Sequence, residues 1–193
     1  MDKIIKRRFQ ESIDVKNKIL NDKELCNTIE GVCLAIIESY QNGGKVILCG
    51  NGGSASDALH IAGELVGRFQ MERKSFPAIA LNSDVATMTA IANDYGYDEM
   101  FSRQVEAHMT SKDIFIGIST SGNSKNVYKA IIKAKEIGGK TVGMVGYNGG
   151  EIINVVDFSI LVPSNITARI QESHITIGHI ICEVVELYLS KKI

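Results

Sequence analysis

The chain has 193 residues, 45 % of them hydrophobic and 22 % charged, with a formal net charge of −1. That length suits one well-buried α/β domain and is short for two, and the near-neutral balance removes any electrostatic case for nucleic acid or an anionic membrane surface. Charges from Asp2 to Arg8 leave no apolar signal core and no apolar run could cross a bilayer, so a cytoplasmic protein is expected.

Residues 3–20 place Ile5, Phe9, Ile13, Lys16 and Leu20 at three-to-four spacing, which predicts an amphipathic helix. A second helix follows the break at Asn21-Asp22, with Leu25, Ile29, Val32, Cys33, Ile36, Ile37 and Tyr40 on its apolar side, and stops at Gly43-Gly44. Val46 to Cys49 reads as a buried strand. Gly50, Gly52 and Gly53 make a turn in which the backbone can take positive φ and approach a ligand. Ser54 with Asp57 resembles a capping box, so a helix is expected to start there. Further strands are predicted at 76–81, 113–119, 141–145 and 158–162. Helices are predicted at 84–92, 98–109, 124–137 and 168–190, with Asn93 to Gly96 as a loop. Strands alternating with helices mean a five-stranded parallel sheet covered on both faces, in a single domain spanning 1–193. The helical pair at 1–42 offers more apolar face than one sheet needs: it either packs on the domain itself or, the reading adopted for oligomer packing, forms a helical bundle with other subunits. Cys26, Cys33, Cys49 and Cys182 form no C-x-x-C pair and are read as small core residues in a reducing compartment.

Three stretches carry chemistry. The turn Gly50-Asn51-Gly52-Gly53-Ser54-Ala55 fits the G-x-G-x-x-[GA] dinucleotide pattern, but that pattern needs an acidic residue closing the second strand about twenty positions on. Here that strand ends Leu81-Asn82 and Asp84 lies well past that distance, which argues against a nicotinamide site. On the helix that this turn launches, His60 and Glu64 stand four apart on one face. An imidazole and a carboxylate so placed can share a divalent metal, with zinc the natural choice. Ser119-Thr120-Ser121-Gly122-Asn123-Ser124 puts four hydroxyls between a strand end and a helix start, more than a cap requires, so a phosphate is expected there. The last helix adds Gln171, His174 and His179 to an apolar face. A lone histidine on such a face is ordinarily a satisfied core residue. Gln171 and His179 are eight apart, about 12 Å along the axis, so one copy of the helix would surround a small substrate awkwardly.

The strings CGNGGSASDALHIAGELVGRF, PAIAL, IANDYGYDEMFSRQVEA, GISTSGNSKNV and RIQESHITIGH together resemble the sugar isomerase (SIS) fold, and more narrowly the bacterial phosphoheptose isomerases. The likeness runs from about Gly43 to the C-terminus, and the two leading helices fit it. It implies a flavodoxin-like sheet and a homotetramer with active sites at subunit interfaces. The implied reaction is conversion of sedoheptulose 7-phosphate to D-glycero-D-manno-heptose 7-phosphate through an enediol, for lipopolysaccharide or capsule. Carried over by residue, the substrate loop falls on Asn51, Gly52 and Gly53, with further contacts at Asn93 and Asp94. The phosphate loop falls on Ser119, Thr120, Ser121 and Ser124. The resemblance implies one zinc per subunit on His60, Glu64, Gln171 and His179, with Glu64 and His179 as catalytic pair and Glu64 and Gln171 also touching substrate. The related replication-initiator-associating proteins lack that glutamate and that final histidine; both are present here, which favours the enzyme. A sugar-phosphate-sensing regulator would need a DNA-binding domain, for which this length leaves no room. The spacing on the last helix and the surplus of apolar helix lead to one more expectation, that Glu64 and His179 of one site come from different chains.

Overall fold

The computed structural model describes residues 1–191. Helices α1 (Asp2–Asn21) and α2 (Lys23–Gln41) precede β1 (Val46–Gly50) and α3 (Gly53–Val66). Then come β2 (Ala78–Ala80), α4 (Val85–Tyr95), a 3-10 turn at Tyr97–Glu99, α5 (Ser102–His108), β3 (Ile114–Ser119) and α6 (Lys125–Ile137). The chain ends with β4 (Lys140–Val145), a 3-10 turn at Ile152–Asn154, β5 (Phe158–Leu161) and α7 (Thr167–Leu189). All strand pairs are parallel, in the order β2-β1-β3-β4-β5. This is the flavodoxin-like order, and its direction reverses between β1 and β3. The carboxyl ends of those two strands therefore diverge and open a crevice, the usual ligand position of such sheets.

The strands are uniformly apolar because both faces are covered. Val46 and Leu48 join a core with α2, α3 and α7, while Ile47 and Cys49 join one built with α5 and α6. His174 belongs to this interior: its Nε2 donates to the Val145 carbonyl at 3.2 Å, and burial pushes the imidazole down to about 4.

Several boundaries differ from expectation. No capping box forms, because Gly52 leaves the turn at φ 56 and becomes the N-cap itself. The first turn closes through backbone bonds, Ser54 N–H to Asn51 O and Ala55 N–H to Gly52 O. Asn93 and Asp94 are helical rather than in a loop, since α4 runs on until Gly96 turns it at φ 95. The helix expected over 98–109 is split by the 3-10 turn. The edge strand shortens to Ala78–Ala80 because Phe76 N–H is drawn to the Leu65 carbonyl. Of the four cysteines, Cys26 is exposed and the other three are buried. The apolar stripe of α1 lies in the open: Ile5, Phe9, Ile13 and Leu20 are exposed, and Val15 is that helix's buried residue.

Candidate active site

The glycine turn is held from below. Asn82, just beyond β2, grips Gly50 in both directions, accepting from its N–H at 3.2 Å and donating to its carbonyl at 2.9 Å. Asn51 and the buried Asn126 exchange amide hydrogen bonds of 2.8 and 2.9 Å, and the Tyr97 hydroxyl donates to Asn51 Oδ1 at 2.8 Å. The Asn51 side chain is thus committed to the protein, leaving backbone as the turn's free surface. Gly52 needs its freedom for φ 56. Gly53 needs its missing Cβ for another reason: a methyl there would overlap the Gln171 amide.

The hydroxyl-rich loop sits at the end of β3. Ser124 occupies the N-cap of α6 but makes no capping bond; its hydroxyl meets that of Ser119 at 2.9 Å. Ser121 Oγ accepts from Asn123 N–H at 3.2 Å. The N–H groups of Lys125 and Asn126 at the start of α6 therefore have no side-chain cap, while that of Val127 donates to Asn126 Oδ1 at 2.9 Å; the two uncapped groups make a setting that favours an anion. A second glycine-rich loop braces this one: Ile152 N–H bonds the Gly122 carbonyl, and Glu151 N–H bonds Asn123 Oδ1. Thr120 lies in the same turn, half-buried. Asn93 and Asp94 are exposed at the end of α4, where the Asn93 amide donates to Asp94 at 2.8 Å.

The third group forms where α3 and α7 run side by side in the same direction. His60 Nε2 lies 3.4 Å from Glu64 Oε1 and 2.9 Å from His179 Nε2. The two imidazoles meet edge to face, and Phe69 stacks on His179 with centroids 5.6 Å apart. His60 and Glu64 keep 47 % and 25 % of their side-chain surface open, so a solute can reach them. One chain alone brings His179 to the His60–Glu64 pair. The expectation that Glu64 and His179 come from different chains is corrected by the parallel run of the helices, which sets 60 beside 179. Gln171 rests on Gly53, seven residues and about 10 Å along α3 from His60, so it stands at the substrate turn.

Among the described residues no three His, Cys, Asp or Glu groups are drawn into a metal cage. The donor chemistry nonetheless fits zinc: two imidazole nitrogens and a carboxylate oxygen, with His60 in contact with each of the other two and no thiolate in the set. Asp57, one turn before His60, is buried and its Oδ2 has no partner. Burial lifts its carboxyl to about 6, partly opposed by the charge of His60. A carboxyl raised in the folded state costs nothing below its unfolded value, and its penalty grows as pH climbs through that window. Asp57→Asn should therefore stabilise the metal-free protein at pH 7.5 by about 1–2 kcal/mol, and hardly at all at pH 4. Urea titrations at the two pH values read the difference.

Asn82, Asn126, Tyr97 and Phe69 were not singled out from the sequence. Asn126 alone left a trace there, as a polar residue beside Val127 and Ala130 on the buried face of α6.

The SIS domain model matches residues 9–146 of the chain. The chain is 54 % identical over 186 residues to a phosphoheptose isomerase of Aneurinibacillus thermoaerophilus, covering 96 % of this chain and 94 % of that protein. Among solved structures it is similar to the phosphoheptose isomerase of Neisseria gonorrhoeae, with a TM-score of 0.90, 38 % identity and coverage of 96 % and 98 %. The phosphoheptose isomerase of Francisella tularensis gives a TM-score of 0.91 at 38 % identity, covering 95 % of this chain and 97 % of that one.

Proposed function

The chain belongs to the phosphoheptose isomerases of the SIS-domain family, and on that premise we propose how its own residues perform the isomerisation. The reaction interconverts sedoheptulose 7-phosphate and D-glycero-D-manno-heptose 7-phosphate, a step of heptose biosynthesis. The observation that carries the residue assignment is the meeting of His179 with His60 and Glu64 in one accessible cluster.

An aldose–ketose isomerase moves a proton between neighbouring carbons by way of an enediol. Glu64 takes the carbon-bound proton, and His179 gives and takes protons on the two oxygens; each such transfer is worth about 10²–10⁴-fold. Ser119, Thr120, Ser121 and Ser124, with the start of α6, hold the phosphate. The backbone of Asn51, Gly52 and Gly53, with the Gln171 amide, holds the sugar at the glycine turn, and Asn93 and Asp94 complete the substrate contacts. His60, Glu64 and His179 are the residues that would hold zinc, which when bound supplies a Lewis acid for the substrate carbonyl; Gln171, the fourth ligand the resemblance implies, rests instead on Gly53 about 10 Å along α3. The reading also includes a cytoplasmic homotetramer. The exposed stripe of Ile5, Phe9, Ile13 and Leu20 supports the assembly, and the free thiols support the compartment.

The direct test is turnover of sedoheptulose 7-phosphate beside unphosphorylated sedoheptulose: the first should isomerise and the second should not. Equal rates would remove the phosphate loop from the account. Ser121→Ala and Ser124→Ala should each raise KM by about 10- to 100-fold, matching the 1.5–3 kcal/mol of a hydrogen bond to a charged group. Initial-rate kinetics check this. Metal analysis of the purified protein should find zinc, and chelation should lower activity while circular dichroism shows the domain still folded. Full activity in protein shown to be metal-free would overturn the zinc assignment.

A further inference from the structure

The segment between α3 and β2 takes no part in the assigned chemistry, yet it is tied down more firmly than a connecting loop requires. Glu186 lies two turns beyond His179 on the same face of α7, with 1 % of its side chain exposed. Its carboxylate accepts from three consecutive backbone N–H groups, those of Phe69, Gln70 and Met71, at 3.0, 2.7 and 3.1 Å. A fourth donor is Arg73 Nε at 2.8 Å. Arg73 also donates to the end of α3, reaching the Leu65 carbonyl and the carbonyl of Glu64 itself, both at 2.9 Å. Its guanidinium lies 4.0 Å over the Phe76 ring, which in turn stacks on Tyr40 of α2.

One buried ion pair therefore fixes two things together: the end of α3 that carries Glu64, and the backbone of Phe69. With its N–H held by Glu186, Phe69 lays its ring on the His179 imidazole at an interplanar angle of 29°. His60 meets the same imidazole edge to face at 66°, its Nε2 2.9 Å from that of His179. An imidazole on a long side chain can spin about its last torsion and present either edge. Between a stacked ring and a neighbouring histidine it keeps the edge that bears Nε2 toward His60.

We propose that Phe69, anchored by the Glu186–Arg73 clamp, is a positioning residue for the isomerisation, holding the His179 ring in the orientation that carries out proton transfer. The proposal rests on the reading of His179 as an acid–base group. Displacement of a reacting group by about an ångström can cost on the order of 10²-fold in rate without changing how substrate binds. The aromatic face is the working part, so Tyr should serve in place of Phe, and an aliphatic side chain should not.

The test compares wild type, Phe69→Leu, Phe69→Tyr and His179→Gln with sedoheptulose 7-phosphate as substrate. Phe69→Leu should lower kcat by about 10- to 100-fold with KM within about twofold of wild type, and Phe69→Tyr should restore kcat. The ring-proton NMR signals of His179, assigned by their loss in His179→Gln, should shift in Phe69→Leu and stay near wild type in Phe69→Tyr. Should Phe69→Leu fail to fold, Phe69→Met, flexible and of similar volume, carries the same comparison. Wild-type kcat in the aliphatic variant, or equal losses in the aliphatic and Tyr variants, would overturn the proposal. His179→Gln separates the two failures. If it is inactive while Phe69→Leu is unaffected, only the positioning role falls. If His179→Gln keeps full activity, the acid–base reading falls and the proposal falls with it.

Discussion

Glu64→Gln should remove isomerase turnover, lowering kcat by about 10³-fold while the fold survives. The substitution keeps the shape of the side chain and exchanges a proton acceptor for an amide that cannot take a proton from carbon. Nothing in the packing depends on the charge. The Glu64 side chain is partly open to solvent and faces His60, while its backbone carbonyl receives Arg73 through a bond the variant retains. The loss should appear in kcat, because the phosphate loop and the glycine turn still hold the substrate. Unchanged thermal melting beside lost turnover is the expected pair of results. A kcat equal to that of wild type would take Glu64 out of the chemistry.

Glu186→Ala should be the most destabilising single change near the site, at about 3–5 kcal/mol by urea unfolding. Removing that carboxylate strands the Arg73 guanidinium, whose side chain is 6 % exposed, and leaves three backbone N–H groups without their acceptor. Burial alone would push the Glu186 carboxyl up, but the N–H groups of Gln70, Phe69 and Met71 and the Arg73 side chain outweigh it and hold it below the usual range. A carboxyl lowered in the folded state contributes stability above its unfolded value, and that contribution fades as pH falls through the folded one. The cost of Glu186→Ala should accordingly be full at pH 7 and shrink in acid. A loss under about 1 kcal/mol at pH 7 would mean the pair is no stronger than a surface contact.

What could be read along the chain was what lies close together in it. The apolar run of β1, the glycines after it, and the four-residue spacing of His60 and Glu64 are local patterns, and each gave the right element in the right place. The flavodoxin-like order followed from alternating strands and helices together with the family resemblance. Spacing alone missed what is joined across the fold, and of those contacts the resemblance supplied the meeting of His60 with His179. Asn51 meets Asn126 over 75 residues, and the backbone of Phe69 meets Glu186 over 117. No spacing rule reaches that far. Local rules also misled where a glycine intervened: Ser54 and Asp57 have capping-box spacing, but the positive φ of Gly52 started the helix earlier and left Asp57 buried instead. The separation of about 12 Å between Gln171 and His179 holds along α7. Its consequence changed once α3 lay alongside, because Gly53 and His60 are spaced almost equally, and each residue of α7 meets its own neighbour on α3.

The central claim is that Glu64 and His179 of this chain move a proton between adjacent carbons of a seven-carbon sugar phosphate. Incubation of sedoheptulose 7-phosphate with the enzyme in D₂O, followed by NMR, tests it most directly. D-glycero-D-manno-heptose 7-phosphate is the expected product, with solvent deuterium appearing at the carbon that exchanges its proton, and neither signal in Glu64→Gln. Absence of the aldose with wild-type enzyme, or its formation with the carbon-bound hydrogen wholly retained, would contradict it.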